Sequence, residues 1–542
     1  MEICIRAAFL AGSEGEGLIF LDNRLKNRQT FVEWDKCLMG PISDRLGVEQ
    51  GGILSDRLYN LANNAELMVT QRSNLGVHLG PVHIASIGQA DDVALVSNCP
   101  HKLHGLLTLV MEYAATHHVT MVPEKTKLLC YTPKGFEQLS LYWKATLPIT
   151  MSGRPVPFVE EAEHVGVLRS TTPGSMPTVL ARISAHTRAL HGVLFAGLAR
   201  RHHGNPTASL RVHLLYGIPV LLSGLAALVL ANHELDVLDL HHKVTLERLL
   251  KLYPNTPAPV VFFLSGSLPA RALLHSRQLC LLAMIARLGS RSPLYRYGVH
   301  ILSSQPPPVR TASKIWFLQV RAICLRYGLP DPLQVLHSAP PKQRWKTSVS
   351  RQILSYWRAN LLAAADKLPS IAHLRLTHMS LTNPSPLLTS CYSSQYEVQK
   401  ATVQIRMASG RYRTCYLRRH WSGDPSGYCK VPGCTPSTPG TLLHLVTGQC
   451  LGLKPACASA AALWADFVAP RPYLRPILEN ISDSRPDDFL AFLLNPTTHP
   501  LAITTAQIQG RIVLDELCYL TRTWLHTLHS ARYRALGLWQ YL

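Results

Sequence analysis

Three cysteines and one histidine form the densest group of metal-ligand side chains in the chain. They follow the spacing Cys429-x4-Cys434-x9-His444-x5-Cys450. Three thiols and one imidazole are the donor set of a closed, tetrahedral Zn²⁺ site. The ligands flank a turn-rich loop and a short apolar stretch, LLHLV, which suits a binding loop followed by a small helix. Buried cysteines and a core histidine without metal are the alternative, and Cys415 or Cys457 could replace one ligand.

The segment just before this group, 410–421, is rich in arginine and aromatic residues and contains no acid. Arginine binds phosphates, and aromatic rings offer surfaces on which unpaired bases stack. The segment therefore predicts nucleic-acid binding, with a solvated basic face beside a core as the alternative. Its candidate binding residues are Arg411, Arg413, Arg418, Arg419 and Trp421.

Two adjacent acids, Asp91 and Asp92, lie between two predicted strands, VHIASIG and VALVS. A hairpin turn would project both carboxylates from the edge of a sheet, where they suit hard cations such as Mg²⁺. Paired metal ions could then assist phosphoryl transfer. On this pattern alone an ordinary turn is the simpler explanation, because aspartate favours turns.

The elements that must position these residues are mixed α/β at first and helical afterwards. Residues 103–114 have apolar residues at helical spacing, and KLLCY (127–131) is predicted to be a strand. A glycine-rich turn (47–55) leads into a predicted helix. From about residue 175 the pattern is helical. The uncharged run 214–231 predicts buried core helices, broken by its glycine and proline, rather than a membrane span.

The chain of 542 residues carries 54 Lys and Arg against 33 Asp and Glu, a formal net charge of +21. This excess favours a polyanionic partner, nucleic acid or an anionic membrane surface, and argues against an acidic solvating protein. The 13 cysteines are scattered outside the one group, so a secreted disulfide framework is not predicted. The N-terminal residues lack the apolar core of a secretory signal. We expect the nucleus, the cytoplasm or both.

Four segments stand in the order and spacing of the palm motifs of reverse transcriptases. They are GVEQGGILS (47–55), GQADDVALVS (88–97), PEKTKLL (123–129) and HVGVL (164–168). The chain most resembles the polymerases of non-LTR (LINE-type) retrotransposons. YGIPVLLSGLAALVL and FFLSGSLPARALLHSRQL resemble their thumb and post-thumb segments, so the resemblance covers most of the chain. Similar CCHC groups occur near the C-termini of these polymerases.

The resemblance implies an RNA-directed DNA polymerase that works on an RNA template and a DNA primer or target, with no membrane or secreted partner. Asp91 and Asp92 match carboxylates that bind Mg²⁺ or Mn²⁺. Lys125 matches a residue that neutralises or protonates the leaving pyrophosphate. The residues expected near the incoming nucleotide and the template are Gln50, Gly51 and Gly52.

The chain departs from the family at two points. Gln89-Ala90 replaces a common aromatic–alanine pair, and the family's first palm motif, with another metal-binding aspartate, is missing upstream of residue 47. Asp22 is the best substitute, ahead of Asp35 and Asp44. The two-metal site is then incomplete, so we expect weak or absent polymerase activity. The alternatives are a catalytically silent protein that holds RNA or DNA through its basic and zinc-knuckle region, or a decayed product without function.

We expect an α+β fold in which a truncated palm, with a small antiparallel sheet and helices, precedes a long helical region holding the zinc group. The predicted parts are a truncated palm (1–170), a thumb and post-thumb region (171–300), a helical connector with proline-rich breaks (301–400), a basic zinc-knuckle region (401–460) and a C-terminal helical region (461–542).

Overall fold

The computed structural model of the chain describes an α+β protein that is mostly helical. The description covers all residues except 1–5, 7, 27, 45–54, 90, 118, 133–136, 147–148, 172–173, 193–204, 306–313, 391–393, 419–424, 436 and 539–542. The chain forms two compact units. One is Met1–Thr178 with Met284–Arg310 and Pro332–Ala339; the other is Val179–Ala283 with Thr311–Asp331 and Pro340–Leu542.

The described strands all lie in the first unit and form separate antiparallel pairs of two strands each. The pairs are β1 (Arg28–Trp34) with β2 (Cys37–Asp44), β3 (Val77–Leu79) with β4 (Val82–Ile84), β5 (Ser86–Gln89) with β6 (Asp92–Leu95), β7 (Thr150–Met151) with β8 (Arg154–Pro155), and β9 (Glu161–His164) with β10 (Val167–Ser170).

Helices occur throughout the described chain and dominate after residue 175. The first twelve are α1 (Glu16–Leu25), α2 (Ser55–Arg72), α3 (Pro100–Thr116), α4 (Glu137–Thr146), α5 (Met176–Leu190), α6 (Pro206–Val212), α7 (Ile218–Leu221), α8 (Asn232–Leu249), α9 (Ala258–Ser265), α10 (Ala270–Leu288), α11 (Pro293–Ser304) and α12 (Trp316–Arg326). The others are α13 (Pro332–Ser338), α14 (Lys342–Ala365), α15 (Pro386–Thr389), α16 (Gln395–Ala408), α17 (Cys415–Arg418), α18 (Leu442–Val446), α19 (Lys454–Val468), α20 (Arg475–Ser482), α21 (Pro486–Leu494), α22 (Pro500–Gln509) and α23 (Ile512–Ala535).

The helix predicted over 103–114 is confirmed as α3. Leu107 on its inner face packs with Ile149, Met151 and Val156. The four buried residues of α3 repeat at helical spacing: Leu106, Leu107, Val110 and Ala114. Burial of such an apolar stripe stabilises the helix against the small strand pairs beside it.

Two strand predictions are wrong in detail. VHIASIG is not one strand: it is interrupted at the fully buried Ala85, whose amide donates to Oε1 of Gln71 at 3.2 Å. β4 therefore pairs back to β3, while β5 pairs forward to β6. KLLCY forms no extended strand, because only Leu128 makes a bridge, to Phe158.

The core of the second unit is built around α23. This helix packs against α16 and α19 and is buried on most sides, with Leu517, Leu525 and Leu528 almost wholly inaccessible. The expectation of buried, broken helices for the uncharged run 214–231 holds only in part. Leu221 and Leu225 are buried, but Leu215 is 74% exposed, and the helix ends after Leu221 rather than at Gly217–Pro219. The run continues α6 through a π-helical turn, His213–Gly217, into α7, where Pro219 supplies no backbone donor.

Four histidines in the second unit form a continuous hydrogen-bonded chain. The links join His241 Nε2 to His186 Nδ1 (2.8 Å), His186 Nε2 to His213 Nδ1 (3.3 Å), and His213 Nε2 to His242 Nδ1 (3.2 Å). Nε2 of His242 lies 3.2 Å from the carbonyl oxygen of Leu268, which can only accept. Oγ of Ser267, which can donate or accept, lies at the same distance from this nitrogen. A proton on Nε2 of His242 would satisfy the Leu268 carbonyl, and each preceding ring would then donate through Nε2 in turn. In this arrangement all hydrogen bonds of the four-histidine chain point the same way, from His241 towards His242, and every ring is neutral.

No described helix alone is long and apolar enough to span a membrane. α9 and α10 reach the necessary length and apolar composition only together, and the two helices are bent by 59° relative to each other.

Candidate metal centre

A tight loop between Gly427 and Gly440 carries the first two candidate ligands. The amide of Cys429 donates to the carbonyl of Thr438 at 2.8 Å, and the amide of Gly440 donates to Gly427 at 2.9 Å. Gly433 next to Cys434 has a φ of 80°, a left-handed conformation that glycine adopts without strain. The loop thus turns back on itself and brings the two thiols to one side.

The other two ligands come from the elements that follow. His444 lies in α18, where the Thr441 side chain accepts a hydrogen bond from the His444 amide at 3.2 Å and so caps the helix. Cys450 opens a 3-10 turn packed on the loop. A β-carbon at Gly452 would lie 2.2 Å from the carbonyl oxygen of Pro432, so only glycine fits there.

The four ligand atoms lie within 4.8 Å of one another, in the arrangement of a closed metal site. The Sγ atoms of Cys429 and Cys450 are 3.9 Å apart, and Sγ of Cys434 is 3.3 Å from Nε2 of His444. Zn–S bonds of about 2.3 Å place two sulfurs of a tetrahedral site about 3.8 Å apart. The cluster is therefore the right size for one ion and too open for a disulfide.

Burial sets the protonation of the cluster. It raises the pKa of Cys429 and, together with the neighbouring Cys429 thiol, raises the pKa of Cys450 to about 12. Burial lowers the pKa of His444 and so favours the neutral ring that a metal ligand must have. Without an ion, the site thus favours neutral thiols. A divalent cation would replace their protons, so binding releases protons.

The predicted Cys/His cluster is confirmed as a site that could hold a metal such as zinc. The structure brings together the four residues named from the sequence, Cys429, Cys434, His444 and Cys450. The proposed substitutes, Cys415 and Cys457, lie outside this cluster.

The basic segment lies directly against the metal loop. The amide of Tyr416 donates to the carbonyl of Gly440 at 3.3 Å, and a β-carbon on Gly440 would lie 2.9 Å from Cβ of Cys415. Arg411 and Arg413 are exposed on this segment. Arg418 ends α17, and its side chain, with Arg419 and Trp421, lies outside the described residues.

One aromatic of this segment is no stacking surface for bases. Tyr412 is only 3% exposed, and its hydroxyl is 2.7 Å from Nδ1 of His529 and 3.3 Å from Nη1 of Arg532. Arg532 also donates to the carbonyl of Arg413 at 2.9 Å. Tyr412 therefore anchors the segment to α23 and leaves the flanking arginines outside.

The predicted hairpin at the paired acids is confirmed. Gln89 pairs with Asp92 in the β5–β6 register, Asp91 lies in the turn, and both acids are exposed. Within the described part of the chain, no third acid or histidine joins them in a cluster able to hold a metal ion. The described residues therefore give no support to the expected Mg²⁺ or Mn²⁺ site.

The remaining palm candidates are dispersed or not described. Asp22 lies on α1, where Nζ of Lys26 approaches its carboxylate to 2.5 Å. Asp35 lies between β1 and β2, and Asp44 ends β2. Lys125 is exposed in a turn after α3. The glycine-rich candidates Gln50, Gly51 and Gly52 lie outside the described residues.

The chain matches no model of a known protein family and no curated protein.

Proposed function

We propose that the second unit binds RNA or DNA, with zinc holding the loop against which the basic segment packs. The observation that carries this proposal is the contact between that segment and the metal loop, through Tyr416 and Gly440. An ion that orders the loop also fixes the backbone from which Arg411 and Arg413 project. The protein on this account is a nucleic-acid-binding protein rather than an active polymerase.

Charge supports a polyanionic ligand. Arg411 and Arg413 are exposed, and among the described residues neither forms an ion pair with a carboxylate. Cations left free in this way attract phosphates and release the counterions condensed on a nucleic-acid strand. The net charge of +21 adds a long-range field of the same sign.

The resemblance to LINE-type polymerases supports RNA as the first ligand to test, with a DNA primer or target as the second. Polymerase activity itself is a second candidate, with the first unit as a palm and the helices that follow as a thumb. The observation in its favour is the β5–β6 hairpin, which presents Asp91 and Asp92 together.

The test is a gel-shift titration of the zinc-loaded full chain with single-stranded RNA across a range of salt concentrations. The double variant Arg411→Gln/Arg413→Gln should bind RNA more weakly. The slope of the logarithm of its binding constant against the logarithm of the salt concentration should be shallower by about 0.7 for each phosphate contact removed. Arg344→Gln/Arg351→Gln removes the same charge from the exposed face of α14 and should bind like the parent chain. Equal losses in both variants would reduce the proposal to a general charge effect.

A further inference from the structure

Two arginines from two segments of the second unit lie over one tyrosine ring, and a lysine from the segment of the tyrosine adjoins them. The guanidinium carbons of Arg406 and Arg413 lie 5.3 and 5.5 Å from the ring centre of Tyr253. Lys251 lies two positions before this tyrosine, and its carbonyl oxygen accepts from Nε of Arg406 at 2.9 Å. Lys251, Tyr253 and Arg406 are half-buried, and Arg413 is exposed, so the group reaches the surface of the second unit.

No described carboxylate neutralises the cations of this group. Among the described residues, Lys251, Arg406 and Arg413 form no ion pair. Glu247, one turn before Lys251, is paired with Lys243 at 2.7 Å. Behind the site, Arg532 adds a fourth positive charge and is only 3% exposed. Among the described residues, its Nε has no hydrogen-bond partner.

Holding like charges together in a partly desolvated place costs free energy, which an anionic ligand would recover. Burial and the neighbouring Arg406 together lower the pKa of Lys251, which indicates that the ammonium group feels this crowding. Guanidinium groups that lie on an aromatic ring keep their planar N–H donors directed outwards, as bidentate recognition of a phosphate requires.

We infer that Lys251, Arg406 and Arg413 form a binding site for one phosphodiester group of a nucleic-acid strand, with Tyr253 as its floor. This inference rests on the proposed function and adds a fixed position for the strand. Arg413 belongs to the basic segment beside the metal loop, so a strand held at Lys251 would continue along that segment. Contacts with a phosphodiester group fix the position of the strand and carry no sequence information themselves.

The first experiment measures the salt dependence of oligouridine binding to the zinc-loaded full chain. Lys251→Gln keeps the carbonyl that holds Arg406 and should lower the log–log slope by about 0.7. The matched control Lys346→Gln lies on the exposed face of α14 and should leave the slope unchanged. Arg411→Gln, outside the site, tests the proposed function separately.

Acylation footprinting of the unmodified chain supplies a second readout that needs no variant. Lys251 should be protected from an amine-reactive reagent when oligouridine is bound, and Lys346 should stay reactive. Three results together would overturn the site alone. Lys251→Gln would show the same salt slope as the parent chain, Lys251 would stay unprotected, and Arg411→Gln would still weaken RNA binding. Protection by inorganic phosphate but not by RNA would overturn the assignment to a strand. Absence of RNA binding by the parent chain would overturn the proposed function and this site together.

Discussion

Nε1 of Trp524 donates to the carbonyl oxygen of Val446 at 2.9 Å and so ties α23 to α18, the short helix that carries His444. Thr441 caps the opposite end of α18. The imidazole that completes the Cys/His cluster is therefore held by a helix fixed at both ends. This matters because residues that support metal ligands commonly contribute to metal affinity.

Trp524→Phe should weaken zinc binding about 10-fold, because the carbonyl of Val446 loses its donor and α18 loosens. A competition titration with a chromogenic chelator measures the change. Trp345→Phe is the matched control: it removes an indole donor from the carbonyl of Leu279, which joins α14 to α10 rather than to α18, and should leave zinc affinity unaltered. Equal zinc affinities in the Trp524 variant and the parent chain would show that the tie is irrelevant to the site.

Cys450→Ser should abolish stoichiometric zinc binding, because it removes a fully buried ligand and leaves three donors. Cys415→Ser and Cys457→Ser should retain one zinc per chain, since neither thiol belongs to the cluster. Elemental analysis of the purified variants decides the point. Retention of zinc by Cys450→Ser, with loss in either control, would mean that the ligand set is different.

The histidine chain should make the protein sensitive to acid. Burial lowers the pKa of His186 to about 4, of His213 to about 2 and of His242 to about 3, against about 6.5 when unfolded. A depressed pKa contributes stability that is complete above pH ~6.5 and is lost as the pH falls towards the folded values. Each such histidine costs up to about 1.4 kcal/mol per pH unit in that window.

Urea unfolding between neutral and mildly acid pH measures this effect. His186→Gln keeps a donor and an acceptor but does not titrate, so its free energy of unfolding should fall less steeply with acid than that of the parent chain. Exposed His337→Gln is the control and should follow the parent. Zinc loss in acid affects all three proteins alike. The difference in the pH dependence of their free energies of unfolding therefore measures the contribution of the four-histidine chain. Identical slopes in all three would contradict it.

Gly217 lies beside the hydrogen bond between His186 and His213, the middle one of the four-histidine chain. A β-carbon there would lie 2.7 Å from Nδ1 of His213 and 3.1 Å from Nε2 of His186. Gly217→Ala should therefore force these rings apart and destabilise the second unit by about 1–3 kcal/mol in urea unfolding. At Gly192 an added β-carbon would meet no described atom within 4 Å, so Gly192→Ala is the control. A parent-like midpoint for Gly217→Ala would show that the link has no energetic weight.

Primer extension on RNA with Mg²⁺ or Mn²⁺ tests the second candidate function. We expect no extension, because the acids at the β5–β6 hairpin lack a third described ligand. The double variant Asp91→Asn/Asp92→Asn is the control for any signal. Extension that this variant abolishes would establish a working site and restore the polymerase function.

The sequence predicted those elements whose residues lie close together along the chain. The apolar spacing of 103–114 predicted α3, and three cysteines and one histidine at close spacing predicted the metal cluster. The aromatic content of 410–421 predicted stacking surfaces for bases, but Tyr412 is buried, because arginine and tyrosine alternate there between outside and inside. The Lys251–Arg406 contact joins residues 155 positions apart, and no sequence pattern links them. Trp524 and Val446 are 78 positions apart and were missed for the same reason.

Retention of RNA by zinc-loaded, zinc-stripped and zinc-restored full chain is the most direct test of the central claim. We expect RNA binding to be lost on chelation, to return with one equivalent of zinc, and to show no response to zinc in Cys450→Ser. Equal RNA binding by the loaded and stripped chains would contradict the claim that the metal cluster holds the basic segment in its binding form.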